Sequence, residues 1–149
     1  MSERTWRVYL AGEIHSDWRE RVEQACEGLP LTFTAPVTDH PASDAAGTGT
    51  LGDEEKKFWA DHKGAGVNSI RTQTFIQDAD VVVVRFGDKY RQWNAAFDAG
   101  YATALGKPVI TQHDEEFDHA LKEVDSAARA TARAPEQVAA VLKYVITGE

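Results

Sequence analysis

The sequence predicts an α/β fold, in which a mainly parallel sheet of four or five strands lies between two layers of helices. Short apolar runs alternate along the chain with stretches of helical periodicity, which is the pattern of strands joined by crossover helices. Four consecutive valines at 81–84 are framed by Asp80 and Arg85. Such an unbroken apolar run is typical of a strand that is buried on both faces in the middle of a parallel sheet.

The first part of the chain contains two predicted strands and one predicted helix. Residues 6–11 and 31–35 are apolar runs of strand length. Between them, Ser16 or Asp17 is a suitable cap for a helix that continues to about Gly28. The apolar residues of this helix share one face: Trp18, Val22, Ala25 and Leu29.

Residues 37–53 are rich in Gly, Ala, Ser, Thr and Asp and have no hydrophobic period, which predicts a long loop. Residues 53–63 are expected to form a short helix. Residues 68–78 are expected to form a second helix that leads into the valine strand.

The second half repeats the alternation. A polar and aromatic loop at 87–93 precedes a helix that Asn94 is expected to cap and that runs through Leu105. Residues 108–111 form the next predicted strand, and 115–124 a helix. Residues 127–133 suit either a helix or a final edge strand. Pro135, at a favoured first-turn position, begins a last helix to about Ile146.

Composition excludes several classes of function. The 149 residues include 16 Lys plus Arg and 24 Asp plus Glu, a formal charge of −8. This acidic balance disfavours nucleic-acid polymers and anionic membranes as partners. No apolar run reaches the roughly 18 residues of a membrane span, and residues 1–7 lack a signal-peptide core. We therefore expect a single cytoplasmic domain covering residues 1–149.

Cysteine and histidine usage predicts no metal site and no cofactor. Cys26 is the only cysteine, which excludes an internal disulfide and a multi-cysteine metal site. It neighbours the apolar stripe of the first helix and is expected to be a small buried hydrophobe. The five histidines show no metal-ligand spacing, and His113 and His119 are expected at the surface.

The strand pattern locates a candidate binding site. In a flavodoxin-like sheet of order 2-1-3-4-5, ligands bind beyond the carboxyl ends of strands 1 and 3, where the strand order reverses. Two polar loops follow those strands. The candidate ligand-binding residues in them are Gly12, Glu13 and His15 in the first loop, and Asp88, Tyr90, Arg91, Gln92, Trp93 and Asn94 in the second.

Asp98 lies in the early part of the helix that follows the second loop. A helix N-terminus favours an ionised carboxylate, and at a ligand crevice such a group can act as a nucleophile toward a sugar carbon. Compensation of the helix dipole is the structural alternative. Glu13, Asp88 or His15 is a candidate general acid, or else a solvated loop residue.

Other candidates also have structural alternatives. Tyr90 and Trp93 offer surfaces on which a nucleobase can stack, or they pack under the loop or at a subunit contact. Arg71 and Arg91 can hold a phosphate or carboxylate, or they are ordinary surface charges.

Several segments, taken in order, resemble the nucleoside 2-deoxyribosyltransferase superfamily. Residues 8–12 resemble its first strand and turn, and residues 78–84 its third strand. Residues 97–102 and 104–110 resemble the helix that carries the nucleophile and the fourth strand. The whole chain is most similar to the YtoQ branch.

The resemblance implies cleavage of the N-glycosidic bond of a deoxynucleoside or nucleotide through a covalent sugar–carboxylate intermediate. Asp98 matches the nucleophilic Glu of the family, and Tyr9 matches the tyrosine that positions it. Gln92 matches a loop carboxylate that handles the proton of the base, and Thr72 lies near the place of another pocket Asp. Asp98 is one methylene shorter than Glu, and Gln92 cannot donate such a proton.

These departures leave three functions open: deoxyribosyl transfer, hydrolysis of the N-glycoside, or nucleoside binding without turnover. The predicted partners are a small-molecule nucleoside or nucleotide and further copies of the chain, since family pockets are completed by a neighbouring subunit. Uncharged nucleosides are favoured unless Arg71 and Arg91 form a positive patch.

Overall fold

The computed structural model describes residues 4–89 and 92–149, in which five strands form one sheet. The strands are β1 (Trp6–Gly12), β2 (Leu31–Thr34), β3 (Val81–Arg85), β4 (Val109–Gln112) and β5 (Ala130–Ala132). Their order is β2-β1-β3-β4-β5, and every neighbouring pair is parallel. The predicted fold class and strand order are confirmed, and the segment left open at 127–133 contains the edge strand β5.

Helices cover both faces of the sheet. They are α1 (Trp18–Ala25), α2 (His40–Asp44), α3 (Ala46–Leu51), α4 (Lys57–Asp78), α5 (Trp93–Ala104), α6 (Lys122–Ala127) and α7 (Pro135–Thr147), with a 3-10 turn at Glu115–Phe117. Among the described residues, no helix is both long enough and apolar enough to cross a membrane.

Alternate residues of the strands build two separate cores. Val8, Leu10, Val81 and Val83 face α1 and α7, and Cys26 packs in this core with 3% of its surface exposed. Burial raises the pKa of the Cys26 thiol to about 11. The intervening residues face α4 and α5: Tyr9, Ala11, Val82 and Val84. The valine strand is therefore buried on both faces, as its composition predicts.

The prediction of a loop over residues 37–53 is wrong, because this segment contains α2 and α3. Asp39 caps α2: its carboxylate accepts a hydrogen bond of 2.9 Å from the amide of Ala42, and Pro41 occupies the first turn. These signals are local and do not depend on a hydrophobic period. Gly47 of α3 lies against the backbone of α4, where a Cβ atom would collide with the amide nitrogen of Gly64.

The two helices predicted at 53–63 and 68–78 are one continuous helix, α4, of 22 residues. Gly64 and Gly66 interrupt its helical pattern in the sequence, since glycine is a poor helix former. Gly64 is buried where α3 approaches, so its small size permits the contact with Gly47. Tertiary packing outweighs the intrinsic preference of these two residues.

Two smaller expectations also fail, one about a helix cap and one about a helix. Helix α5 begins at Trp93, so Asn94 lies inside its first turn and is not the N-cap. The N-cap is Gln92, whose side chain makes no capping hydrogen bond. The segment predicted as a helix at 115–124 is a 3-10 turn followed by α6.

His113 was expected at the surface but is fully buried. Its Nε2 lies 2.7 Å from a carboxylate oxygen of Asp125, and its Nδ1 lies 2.8 Å from the carbonyl oxygen of Asp114. Thr111 donates to the other oxygen of Asp125 at 2.8 Å. The chain around α6 covers the end of β4, and the hydrogen bonds of Asp125 make this burial of polar groups tolerable.

The contact between α3 and α4 predicts opposite effects for two neighbouring glycines. Gly47→Ala should lower the free energy of unfolding by about 2 kcal/mol, because the added methyl group overpacks a backbone contact. Gly49→Ala is the matched control in the same helix, where a Cβ meets no heavy atom outside the helix within 4 Å. It should raise stability by about 0.5–1 kcal/mol. Urea denaturation measures both, and equal effects would contradict the proposed contact.

Candidate active site

The loops after β1 and β3 meet at the carboxyl edge of the sheet, as the reversal of strand order predicts. The amide of Glu13 donates to the carbonyl oxygen of Arg85 at 3.1 Å. Gly12 has a φ of +107°, and a Cβ atom there would collide with the same carbonyl oxygen. Glycine is therefore required for the chain to leave β1 at this close approach.

A buried arginine fixes the turn between β1 and α1. The guanidinium of Arg19 donates to the carbonyl oxygens of Leu10 at 2.8 and 3.0 Å, of Gly12 at 3.2 Å and of Glu13 at 2.6 Å. The indole of Trp18 also donates to Glu13, and the guanidinium lies 4.6 Å from the centroid of that indole. Burial lowers the pKa of Arg19 to about 10, so the group stays charged at neutral pH.

The side chain of Glu13 is held in place from several sides and is 4% exposed. It accepts hydrogen bonds from the amide of His15 at 2.8 Å, from the hydroxyl of Ser16 at 2.7 Å and from Arg85 at 3.3 Å. Arg85 also donates to Gln112, whose amide donates to the carbonyl of Arg133 at 3.1 Å. This polar row links the ends of four strands beneath the site.

A cleft of about 790 Å³ opens above this edge. Its wall on one side consists of the loop after β1 and the beginning of α5. The opposite wall consists of α2 and one face of α4. The predicted site residues that line it are Gly12, Glu13, His15, Gln92, Asn94 and Asp98.

The other predicted site residues lie elsewhere. Tyr9 is buried behind the cleft, and Asp88 and Trp93 are exposed outside its lining. Arg71 also lies outside the lining, with its guanidinium 4.7 Å from the ring centroid of Phe75. Tyr90 and Arg91 lie outside the described residues, so the structure does not test their predicted contacts.

The wall that α4 contributes was not predicted from the sequence. The α4 residues in the lining are Lys57, Asp61, Gly64, Ala65, Asn68, Ser69, Thr72 and Gln73. They recur every three or four positions, which is the spacing of one helical face. That polar period was a usable signal, but it was divided between two predicted helices. Asn68 also ties the wall together, since its amide donates to the carbonyl of Ser43 in α2 at 3.1 Å.

Asp98 is the partly buried carboxyl group of the cleft. Burial raises its pKa to about 6, because removal from water disfavours the charged form. Its negative charge in turn helps to raise the pKa of Tyr9, for which burial is the larger cause. The hydroxyl of Tyr9 is fully buried and has no hydrogen-bond partner among the described residues. Such a group costs about 1–3 kcal/mol until a partner is supplied.

Gln92 stabilises the second loop. Its side-chain oxygen accepts a hydrogen bond of 2.6 Å from the amide of Gly87. Gly87 must be small, because a Cβ atom there would lie 2.6 Å from Cγ of Glu13. The amide group thus fixes the loop against Glu13 at the position that the resemblance gives to a carboxylate.

Charged groups at the mouth of the cleft are paired. Lys57 lies 3.1 Å from Asp61, and Nε2 of His40 lies 3.1 Å from Asp44. The rings of His15 and His40 meet edge to face with centroids 5.4 Å apart. Of the described residues in the lining, four are carboxylic acids, namely Glu13, Asp44, Asp61 and Asp98, and one is a lysine.

A second polar cluster follows the carboxyl end of β4, and its residues do not line the cleft. Possible ligand atoms of His113, Asp118 and Asp125 lie within 4.8 Å of one another. The guanidinium of Arg133 bonds both carboxylate oxygens of Asp118, at 2.6 and 3.0 Å, and lowers the pKa of that group. Asp118 and Asp125 are therefore already bonded to Arg133 and His113, and the bond to Arg133 holds the chain that directly follows β5.

Comparison with known proteins gives one family and a close relative. A family model described as nucleoside 2-deoxyribosyltransferase YtoQ matches residues 9–146. A curated relative from Bacillus subtilis (strain 168), named "Uncharacterized protein YtoQ", is 40% identical over 144 residues. The match covers 95% of this chain and 97% of the relative.

Two solved structures share the fold. One, from the characterization of a 2-deoxyribosyltransferase of Bacillus psychrosaccharolyticus, has a TM-score of 0.58 at 18% identity, covering 89% of this chain and 90% of that one. The other, a conserved protein from Enterococcus faecalis V583, has a TM-score of 0.61 at 16% identity, covering 95% and 99%. The TM-scores show that the fold is shared, and at identities this low the likeness shows the fold alone.

The raised pKa of Asp98 predicts a pH-dependent cost in stability. Between pH 4 and 6 the folded chain binds more protons at this carboxyl than the unfolded chain, so stability falls as pH rises through that interval. Asp98→Asn should therefore raise the free energy of unfolding at pH 7.5 by about 1–2 kcal/mol and change little near pH 4. Denaturation at both pH values measures this, and a stability loss at pH 7.5 would refute it.

Proposed function

Because this chain belongs to the nucleoside 2-deoxyribosyltransferase YtoQ family, we propose that it breaks the N-glycosidic bond of a nucleoside or nucleotide with a carboxylate nucleophile. The observation that carries the proposal is that the charge of Asp98, a residue of the cleft lining, is felt by the hydroxyl of Tyr9 buried behind the cleft. Asp98 is a desolvated carboxyl group in the lining, and Tyr9 presents a buried hydroxyl without a partner.

In the first step, a carboxylate oxygen of Asp98 attacks C1′ of the sugar while the bond from C1′ to the base nitrogen breaks. The base leaves with the electron pair of that bond and takes up a proton from solvent water. The ionised form of Asp98 is the nucleophile, and with a pKa of about 6 most of it is present at neutral pH. A desolvated carboxylate is also more reactive toward an electron-poor carbon than a hydrated one.

Tyr9 serves as a positioning residue in this proposal. Burial and the charge of Asp98 both raise the pKa of its hydroxyl, so the group keeps its proton and acts as a donor. A buried donor without a partner, within the electrostatic reach of Asp98, is suited to hold the carboxylate of that residue. That bond also compensates for the shorter side chain of Asp98 by fixing its orientation.

In the second step, a base nitrogen or a water molecule attacks C1′ and releases Asp98. A second base makes the reaction a transfer, whereas water makes the chain an N-glycosidase. Gln92 favours hydrolysis as the close alternative, because an amide at the place of the loop carboxylate cannot exchange a proton with an incoming base.

A binding domain without turnover is the alternative from another class. The fixed carboxylate of Glu13 and the amide of Gln92 both favour it, since each is engaged in holding a loop and neither has a proton to transfer. The enzyme and the binding domain would use the same cleft. We propose that the protein acts in the cytoplasm in either case.

We further propose that the chain is a homo-oligomer that associates through α5. Trp93 and Phe97 lie about one helical turn apart on α5 and are 73% and 62% exposed. Phe97 also lines the cleft, so a neighbouring subunit on this stripe would extend the wall of the site. Exposed aromatic groups of this kind are enriched at protein interfaces.

The activity is tested by incubating the protein with 2′-deoxynucleosides, ribonucleosides and their monophosphates and detecting free base by chromatography. Release should rise with pH through an apparent pKa of about 6 and reach a plateau, because the ionised carboxylate of Asp98 attacks. Asp98→Ala should abolish it. Addition of a second base distinguishes transfer from hydrolysis.

Two outcomes would count against the proposed mechanism. Tight binding of a nucleoside by calorimetry with no base released over hours would support the binding domain. Release that persists in Asp98→Ala would remove this residue as the nucleophile. Circular dichroism of the variant shows that the fold is retained.

Light scattering at micromolar concentration tests the oligomer. The wild-type chain should have the mass of two or more subunits, and Trp93→Glu should yield monomers because a charge replaces an apolar contact. Tyr144→Glu on α7 is the control, since Tyr144 is 66% exposed on another helix. A monomeric wild type, or dissociation by the control alone, would overturn the α5 interface.

A further inference from the structure

We propose that the cleft selects N-glycosides whose base carries a positive charge, such as pyridinium nucleosides, over neutral and phosphorylated ones. This inference rests on the proposed cleavage of an N-glycosidic bond and names the class of substrate. Two independent features carry it: the hydrogen bonds that engage Gln92 and Glu13 in supporting the loops, and the excess of carboxylates around the cleft.

The first feature concerns the leaving base. A neutral base departs with an extra electron pair and needs a proton from a general acid. Gln92 bears an amide, whose side-chain oxygen already accepts from the amide of Gly87. Glu13 accepts three hydrogen bonds from donors, so its carboxylate has no proton to give. These two residues stand where the loops after β1 and β3 meet.

A cationic base needs no such proton. When the C1′–N bond breaks, its electron pair returns to the ring nitrogen and cancels the positive charge of the base. An oxygen of Asp98 forms the new bond to C1′, and the base leaves as a neutral molecule. Water then attacks C1′, loses a proton to the solvent and frees the carboxylate. Atoms and charges balance without a general acid in the first step.

The second feature is the charge of the walls. Asp44, Asp61 and Asp98 line the cleft from three different helices, and Lys57 is the single lysine among the described lining residues. Lys57 pairs with Asp61 at 3.1 Å and Nε2 of His40 lies 3.1 Å from Asp44, so the excess of acid is the four carboxylic acids of the lining over that one lysine. Carboxylates on several sides of a concave surface concentrate their field, which attracts a cation and repels a phosphate.

Phe97 adds a surface suited to the same ligand. Its side chain is 62% exposed and belongs to the lining next to Asp98. The face of an aromatic ring attracts a cation, and the attraction is stronger where water is partly excluded. A planar cationic base is the ligand that uses the ring and the carboxylates together.

A cationic base also favours the reactive form of the nucleophile. Burial stabilises the protonated carboxyl of Asp98, whereas a nearby positive charge stabilises the carboxylate. Binding of the cation and ionisation of Asp98 therefore promote each other. A neutral base gives no such coupling.

Binding is measured first, with nicotinamide riboside as the cation and benzamide riboside as its neutral carbon isostere, each with ribose and with 2-deoxyribose. Asp98→Asn serves as the background, because it prevents cleavage during calorimetry. The cation should bind at least fivefold more tightly than the isostere at low salt. Adding Asp44→Asn and Asp61→Asn should reduce this preference to less than twofold. Adding Glu27→Gln instead, an exposed acid outside the lining, should leave it unchanged.

Cleavage by the wild-type chain is measured second, with the uncatalysed rate subtracted. The kcat/KM for nicotinamide release should exceed that for neutral nucleosides at least tenfold, and the 5′-phosphate of the same cation should react more slowly. Equal affinity for cation and isostere, or no binding of either, would overturn the proposal. So would faster cleavage of a neutral nucleoside that is lost in His15→Ala, since His15 would then be the general acid.

The two proposals fail in different ways. Cleavage of neutral nucleosides that depends on Asp98, without a preference for the cation, overturns the charge selection and supports the proposed function. A preference for the cation without cleavage of any nucleoside supports the selection and overturns the enzyme.

Discussion

The arrangement of the cleft depends on the buried guanidinium of Arg19. Strand β2 pairs with β1 only as far as Tyr9, so the carbonyl groups of Leu10 and Gly12 lie beyond the last paired residue of that neighbouring strand. Buried carbonyls without partners are costly, and Arg19 supplies the donors for Leu10, Gly12 and Glu13 at once. The turn thus has one stable conformation, which places Glu13 against Arg85. The polar row from Glu13 to the carbonyl of Arg133 then holds the carboxyl ends of four strands together.

The strands could be predicted from sequence because buried strands consist of consecutive apolar residues, such as the valines at 81–84. The order of the strands then located the loops of the site. The opposite wall could not be found in this way, because α4 is interrupted in sequence by Gly64, whose reason for being glycine is a contact with Gly47. His113 was misplaced for a related reason: its burial depends on Asp125, twelve positions later, and no local pattern shows that pair.

For the candidate catalytic residues, the sequence predicts which residues to consider but not the environment of their side chains. The resemblance pointed to Asp98 and Tyr9, and the structure gives each an environment that a sequence cannot show: a desolvated carboxyl group and a buried hydroxyl without a partner. Glu13 is a candidate general acid by sequence, and the structure adds that its hydrogen bonds hold the loop after β1 in place. The two solved neighbours show that the scaffold is shared at identities of 18% and 16%, so chemistry must be argued from side chains.

The state of Cys26 has a practical consequence for physical study of this protein. It is the only cysteine, it is buried under α7 and α1, and its raised pKa leaves very little thiolate at neutral pH. A maleimide or spin-label reagent therefore has no accessible native target. A cysteine introduced on the α2 wall and another beside Asp88 would be labelled selectively in the otherwise natural chain. Distances across the cleft can then be recorded by fluorescence or electron spin resonance in solution.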